Sequence, residues 1–506
     1  MRDGKEDQRQ RSRRVWLYLT AAIYGLTFWY HPAHDPDLGW HLAGGAWIAD
    51  HRALPSYDFV NSFNPFWHDY HWLGQLALYG IYCLGHYQGL RLALGLLLAY
   101  LATVVLDIVL LESPRRQPMA VTLAAFFGAM ALIGHVVSVR PQMLSLCLVA
   151  LAVRRLIQRA AAWELPYLLG LTVVLVNVHV YWALIPALWF FYRCAPRFTG
   201  SDRFGAAYAW GGAVLLSGAG LISPYGLLPF GFMPPSLFMN YALLWDYFTM
   251  PAELKTTIGE FRGALATEGF TPWLILLYVI VVARTFSWRR LVARIGAGLS
   301  AVVFVLLAIG SLKFVAVFAV AGLPYFVRQL QLLAHVPLGR VRRWERPVAS
   351  AIVALVLLGA AVHAARHFPW LHDNDEYITA MLPVAACRHI TTLDLSPRPP
   401  REHLRVLTHF NHGGWCRWIL YQQRPDLDFR VTTDGRTQWV PAEHFLRAYD
   451  VMNVKNDWLN TLKRWGPDVL VIPATHALGN VLALDPKSYQ LVFRDESFLV
   501  FVPLRQ

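Results

Sequence analysis

Residues 34–48 read His34-Asp35-Pro36-Asp37-Leu38-Gly39-Trp40-His41-Leu42-Ala43-Gly44-Gly45-Ala46-Trp47-Ile48. Proline biases the residue before it toward extended backbone, and the apolar run beyond Asp37 predicts a helix that opens just after it. On that helix Asp37 and His41 stand four apart and share a face. Two readings of Asp37 compete. As an N-cap, its side-chain oxygen would satisfy the free N–H groups of the first turn. As a carboxylate at a membrane surface, it would take the proton of an acceptor hydroxyl. Asp35 would assist it, and the two together offer hard oxygen ligands to a divalent cation such as Mg2+ or Mn2+.

The chain on either side is apolar. Of its 506 residues, 56% are hydrophobic and 15% charged, where a soluble domain carries about a quarter charged residues. Mean hydropathy is +0.37. Runs near the ~20 residues that a membrane span needs fall at 15–30, 90–111, 119–138, 143–153, 165–178, 180–192, 206–222, 272–284, 295–311, 314–328 and 348–364. This predicts an α-helical polytopic membrane protein with about eleven spans. Arg9, Arg11, Arg13 and Arg14 precede the first run as in a signal sequence. The polar His31-Pro32-Ala33-His34-Asp35 that follows has no small-residue cleavage site, so the run is expected to stay as an uncleaved span.

Net charge is +13, which in a soluble protein would point to nucleic acid. There is no zinc-finger spacing, P-loop or RNA-binding aromatic motif, and the arginines sit in clusters between apolar runs, so the bilayer and not nucleic acid is the expected partner. With the N-terminus in the cytoplasm, the inner loops carry Arg115, Arg116, Arg154, Arg155, Arg159, Arg193, Arg197, Arg203, Arg284, Arg289, Arg290, Arg294, Arg328, Arg340, Arg342, Arg343 and Arg346. The alternate loops 31–89, 139–142, 177–180, 223–271 and 312–313 hold few basic residues. The asymmetry follows the positive-inside rule at every turn and places residues 365–506 outside the cytoplasm.

Two outer loops are long. Residues 31–89 hold Asp35, Asp37, Asp50, Asp58 and Asp69, several histidines, and an apolar stretch at 79–84 that is too short to span and is expected to lie on the membrane surface or re-enter. Residues 223–271 are rich in Pro, Gly, Phe and Met and end near Glu253, Glu260, Arg262 and Glu268. The polar tail predicts strands at 406–410, 429–433 and 469–472, a final hairpin from 489–493 to 498–502, and helices at 414–421, 442–450 and 458–465. The expected domains are thus a membrane domain, 1–364, and a C-terminal extracytoplasmic α/β domain, 371–506. Cys83, Cys147 and Cys194 lie in or beside apolar runs and read as small hydrophobes. Cys387 and Cys416 lie in the tail, where outside the cytoplasm they either form a disulfide or remain two thiols.

The stretch Pro36-Asp37, the helix to Ile48, then His51-Arg52-Ala53-Leu54-Pro55 and Asp58 resembles the first outer loop of GT-C glycosyltransferases, in particular aminoarabinose transferases and protein O-mannosyltransferases. Trp67-His68-Asp69-Tyr70-His71-Trp72-Leu73-Gly74-Gln75 fits the start of the re-entrant helix of that family. The chain is also similar to a group of bacterial membrane proteins that open with D-P-D-x-x-W-H-L-x-x-G. Further marks of that group recur as Arg140-Pro141-Gln142, Asn177-Val178-His179, Ser223-Pro224-Tyr225-Gly226, Gly259-Glu260-Phe261, Gly413-Gly414-Trp415 and Asp434-Gly435-Arg436. The likeness runs over nearly the whole chain.

The resemblance implies a GT-C-like fold in the bacterial cytoplasmic (inner) membrane and a sugar donor linked to a polyprenyl phosphate. It puts Asp37 at the catalytic carboxylate with Asp35 beside it. The family often follows the aspartate with Glu, where this chain has Leu38. The leaving phosphate gains charge and needs cations; Arg140 and Lys313, at the expected outer ends of spans, are the candidates, with His41 beside them. His71, His179 and Glu260 are candidates for acceptor binding or loop support, and His68 shares the loop. Asn177 reads as a helix-end residue satisfying backbone, and Asp434-Gly435-Arg436 as a tight turn with an Asp–Arg pair. The acceptor is a glycan, lipid or protein. Two other readings stand: a transporter of lipid-linked material, which calls for charges deep in the spans and paired halves, and an inactive GT-C-like scaffold that binds an envelope partner. Apart from Asp107 the spans carry few deep charges, and no halves repeat.

Overall fold

The computed structural model describes residues 2–30, 35–64, 67–113, 118–200, 205–225, 252–334, 382–397, 401–436 and 442–504, and parts of a helical stretch between 347 and 365. The last expected span is therefore described only in part.

Helix α1, Arg2–Leu26, passes through a short 3-10 turn toward the Asp35 loop. Helix α2, Leu38–His51, opens where the sequence places it. Helix α3, Trp72–Glu112, is two helical arms joined at a kink, where Gly85 and His86 leave helical backbone and His86 takes φ 49°. The bend is sharp: a Cβ on Gly89 would stand 3.0 Å from the Ile81 carbonyl oxygen. The stretch at 79–84 ends the first arm, which opens at Trp72, and the expected run at 90–111 lies in the second.

The remaining helices follow the expected apolar runs: α4 (Met119–Gly134), α5 (Pro141–Leu156), α6 (Glu164–Val176) and α7 (Leu184–Trp189), which continues through a π turn into α8 (Ala195–Phe198). Then come α9 (Ala206–Gly218), α10 (Ala252–Thr257), α11 (Thr271–Thr285), α12 (Trp288–Ala293), α13 (Ile295–Gly310), α14 (Val315–Ala321) and α15 (Leu323–Ala334). Among the described residues α3 alone is long and apolar enough to cross a bilayer as one element, and α14 with α15, bent by 62°, adds a second if taken as one. Helices α4, α6, α9, α11 and α13 are apolar but shorter, about 20–24 Å at 1.5 Å per residue. Their faces pack into one core with Phe126, Trp189, Phe304 and Phe318 buried.

Charges collect at the two ends of this bundle. At one end Glu112 binds Arg294 and Arg328, both at 2.7 Å; Asp107 binds Arg154 at 2.7 Å and Tyr18; and buried Glu164 binds Arg193 at 2.5 Å. These arginines all belong to the loops assigned to the cytoplasmic side.

Residues 382–504 form a five-stranded sheet of order β2-β1-β3-β5-β4, from β1 (Leu404–Thr408), β2 (Phe429–Val431), β3 (Val469–Pro473), β4 (Tyr489–Arg494) and β5 (Phe498–Pro503). The first three pair in parallel and the closing hairpin is antiparallel. Helices α16 (Val384–Ile390), α17 (Phe410–Gln423), α18 (Ala442–Asn453), α19 (Trp458–Trp465) and α20 (Ala477–Ala483) flank it. The first outer loop joins the sheet edge: Val431 N donates to Val60 O and Ser62 N to Val431 O, both at 2.8 Å. Helix α17 crosses α2 closely. A Cβ on Gly39 would stand 2.5 Å from the Gly414 carbonyl carbon, so both crossing points require glycine.

Candidate active site

The start of α2 and the start of α5 meet at the end of the bundle opposite the arginine clusters. Asp37 occupies the N-cap position of α2 but makes no side-chain cap. Its carboxylate turns instead to Arg140, the N-cap residue of α5, with Oδ2 2.9 Å from Nη1. Of the two readings of Asp37, capping is the one that the geometry does not realise. Asp35 accepts from Arg140 Nε with both oxygens at 2.6 Å and from Asp37 N at 2.8 Å. Glu260, on a 3-10 turn of the second long loop, completes the group: Oε1 lies 2.8 Å from Arg140 Nη1 and Oε2 3.2 Å from Lys313 Nζ. Lys313 also lies 4.0 Å over the Phe261 ring, and its backbone carbonyl accepts from Tyr181 Oη, which in turn accepts from Gln142.

Two segments distant in sequence, 35–37 and the turn at Glu260, therefore converge on one arginine, and Glu260 links it to Lys313 from a third. Next to it opens a cavity of about 750 Å3, lined among others by Asp37, His41, His71, Arg140, His179, Glu260 and Lys313. All the sequence candidates but two reach it. Asp35 stands behind Arg140, and His68 packs against Tyr225 with ring centroids 4.6 Å apart. Asn177 binds the backbone carbonyls of Val173 and Ile222 at 2.8 and 3.0 Å, as expected of a helix-end residue.

Burial pushes the Asp37 carboxyl up to about 6; Arg140 opposes this, while Asp35 and Glu260 add to it. Burial would raise Glu260 as well, but Arg140 and Lys313 outweigh it and hold the acid at about 2. The imidazoles behave alike: burial, aided by nearby cations, drives His41 and His71 well below the ordinary value and His179 to about 3. They form a row, His41 to His71 to His179, with centroids 5.2 and 5.3 Å apart. Each is thereby held toward its neutral form, which offers one hydrogen-bond donor and one acceptor. His41 Nδ1 is buried without a partner, which is uncommon for a polar atom in a folded protein and leaves it available to a ligand.

The expected divalent cation does not fit this arrangement. Among the described residues no three His, Cys, Asp or Glu side chains form a metal-binding group. The position between the carboxylates of Asp35, Asp37 and Glu260 holds the Arg140 guanidinium.

The C-terminal unit contributes a wall that sequence reading largely missed. His409, Phe410, Asn411, Gly435, Arg436 and Tyr449 line the cavity. Gly435 lies so close that a Cβ there would stand 2.0 Å from Asp37 Oδ1. Arg436 binds Asp434 at 2.7 Å, as the tight-turn reading expects, and also Asp58 of the first outer loop at 3.0 Å, with its guanidinium 4.4 Å over Trp67. Trp415 Nε1 donates to Asp35 O at 2.8 Å. The D-G-R and G-G-W triplets were the only signal available, and they did not say which elements they would meet.

No family model and no curated protein matches the sequence. Solved structures do. ArnT from Cupriavidus metallidurans bound to undecaprenyl phosphate is 15% identical, over 97% of this chain and 98% of that one, with a TM-score of 0.53. The Archaeoglobus fulgidus oligosaccharyltransferase tethered with an acceptor peptide is 11% identical, over 91% of this chain and 69% of that one, with a TM-score of 0.54. The fold is GT-C. The same archaeal enzyme, AglB, is matched equally well (11% identity, 91% and 69% coverage, TM-score 0.54) in complex with an inhibitory peptide and a dolichol-phosphate, and another of its structures is a complex with Zn and sulfate. At these identities the likeness establishes the GT-C fold alone, shared over nearly the whole chain.

Proposed function

We propose that this GT-C protein is a glycosyltransferase of about eleven spans that moves a sugar from a polyprenyl-phosphate donor to an acceptor hydroxyl on the outer side of the membrane. The acceptor is a glycan, lipid or protein, and the membrane is the bacterial cytoplasmic one. The observation that carries the reading is a base and a cation pair facing one cavity: Asp37, held near 6, with Arg140 and Lys313 beside it.

Asp37 takes the hydroxyl proton. The acceptor oxygen forms a bond to the anomeric carbon as the bond from that carbon to the phosphate oxygen breaks, and the phosphate leaves with the electron pair. Its developing charge falls to Arg140 and Lys313, which are fixed in place before the reaction and lose little to reorganisation. Asp35 positions Arg140. Glu260, still 42% exposed at its side chain, holds the cation pair until a phosphate displaces it. A single base suffices for transfer with inversion. No step is routed through Mg2+ or Mn2+, because Arg140 supplies the charge between the carboxylates. The scaffold reading draws on the same ion pair, since Arg140 occupies an oxygen of the base.

Binding of labelled undecaprenyl phosphate to the purified protein tests the donor assignment. Lys313→Ala is expected to weaken binding about 10- to 100-fold, the worth of a hydrogen bond to a charged group, while Glu260→Gln strengthens it. Equal binding by wild type and Lys313→Ala would contradict the assignment.

A further inference from the structure

Cys387 and Cys416 are 29 residues apart in sequence, yet their sulfurs lie 2.7 Å from each other, both side chains fully buried. Cys387 sits in α16 and Cys416 in α17, two helices that pack on each other. The other cysteines, Cys83, Cys147 and Cys194, belong to the helical bundle. Nothing else in the C-terminal unit competes for either thiol, since these two are its only cysteines.

Helix α17 also ties the C-terminal unit to the first outer loop and to α2. Gly414 abuts Trp40, Trp415 next to Cys416 holds the Asp35 carbonyl, and Arg417 Nε binds Phe59 O at 3.0 Å. A covalent tie at 387–416 would fasten α16 to the helix that closes the site.

We infer that Cys387 and Cys416 form a structural disulfide in the mature protein, pinning α16 to the site-closing helix α17. The inference rests on the proposed orientation, which puts residues 382–504 outside the cytoplasm, where disulfides form and persist. In the reaction two S–H bonds are replaced by one S–S bond. The two protons and two electrons pass to a protein disulfide of the envelope, which is reduced to a dithiol by exchange through a mixed disulfide. Closing a loop of this length restricts the unfolded chain and so favours the folded one.

The test is peptide mapping of the full-length protein after free thiols are alkylated in intact cells and no reductant is added. A Lys487→Cys variant, exposed in the same unit, reports orientation through a membrane-impermeant maleimide. The expected result is a cross-linked 387–416 peptide, lost in Cys416→Ser, and a lower thermal midpoint of the wild type on reduction that Cys416→Ser does not show. Alkylation of both native thiols while Lys487→Cys labels from outside would overturn the disulfide and leave the orientation standing. A Lys487→Cys that labels only after permeabilisation would overturn the orientation, and the inference with it.

Discussion

In the proposed reaction Asp37 carries most of the chemistry, and its environment makes that role testable by pH. A base with its pKa near 6 must lose its proton before it can act, so transfer is expected to rise with pH through about 6 and level above it. Glu260 contributes to raising that value. In Glu260→Gln one negative neighbour is gone, and the rising limb is expected to move to lower pH; a limb that stays in place would show that the titrating group is not Asp37. The sequence made Asp37, Arg140, Lys313 and Glu260 legible as polar residues at outer ends of apolar runs. It could not show that the Arg140 guanidinium would bind three carboxylates, those of Asp35, Asp37 and Glu260. Local spacing fixes which face of a helix a residue occupies, but not which distant loop comes to meet it. The divalent cation was the natural reading of an Asp-Pro-Asp pair for the same reason: nothing local announces that an arginine a hundred residues away will stand between the two.

The element scale turns on how closely α2 and α17 cross. Gly39→Ala would put its Cβ 2.5 Å from a backbone carbon, where no side chain can yield. The substitution is expected to cost about 1–3 kcal/mol, the usual range for overpacking, read as a lower thermal midpoint of the detergent-solubilised protein; an unchanged midpoint would mean that the two helices do not cross this tightly. A few residues away Arg436 compensates two carboxylates, Asp58 and Asp434, each 1% exposed. Arg436→Ala leaves both charges buried and uncompensated, an expected loss of about 3–5 kcal/mol. Periodicity found most of these elements: α2 begins where Pro36 and Asp37 place it, and the tail strands and helices fall within a few residues of their expected positions. In α3 it separated the stretch at 79–84 from the run at 90–111, but it could not give the bend between them, which is set at Gly85 and at His86 with its positive φ.

For the whole molecule, charge divides the protein. Arg154, Arg193, Arg294 and Arg328 are paired at one end, and Asp37, Glu260 and Lys313 face a cavity at the other. Under the proposed orientation, Arg464→Cys, exposed in the C-terminal unit, is expected to react with an impermeant maleimide from outside, and Arg159→Cys, exposed at the opposite end, only after permeabilisation. The alternation of basic loops made this two-ended plan readable from sequence. The sharing of the cavity between bundle and C-terminal unit was not, because Gly435 and Tyr449 come from a part of the chain that composition separates from the membrane segments.

The most direct test of the central claim is sugar transfer by the purified protein from radiolabelled polyprenyl-phosphate sugars, wild type beside Asp37→Asn, with chelator present throughout. Turnover by the wild type, undiminished by the chelator and reduced about 100- to 10,000-fold in the variant, is the expected result. Equal turnover by the two proteins would contradict the role of Asp37, and a folded wild type that releases no sugar from any donor would contradict the enzyme itself.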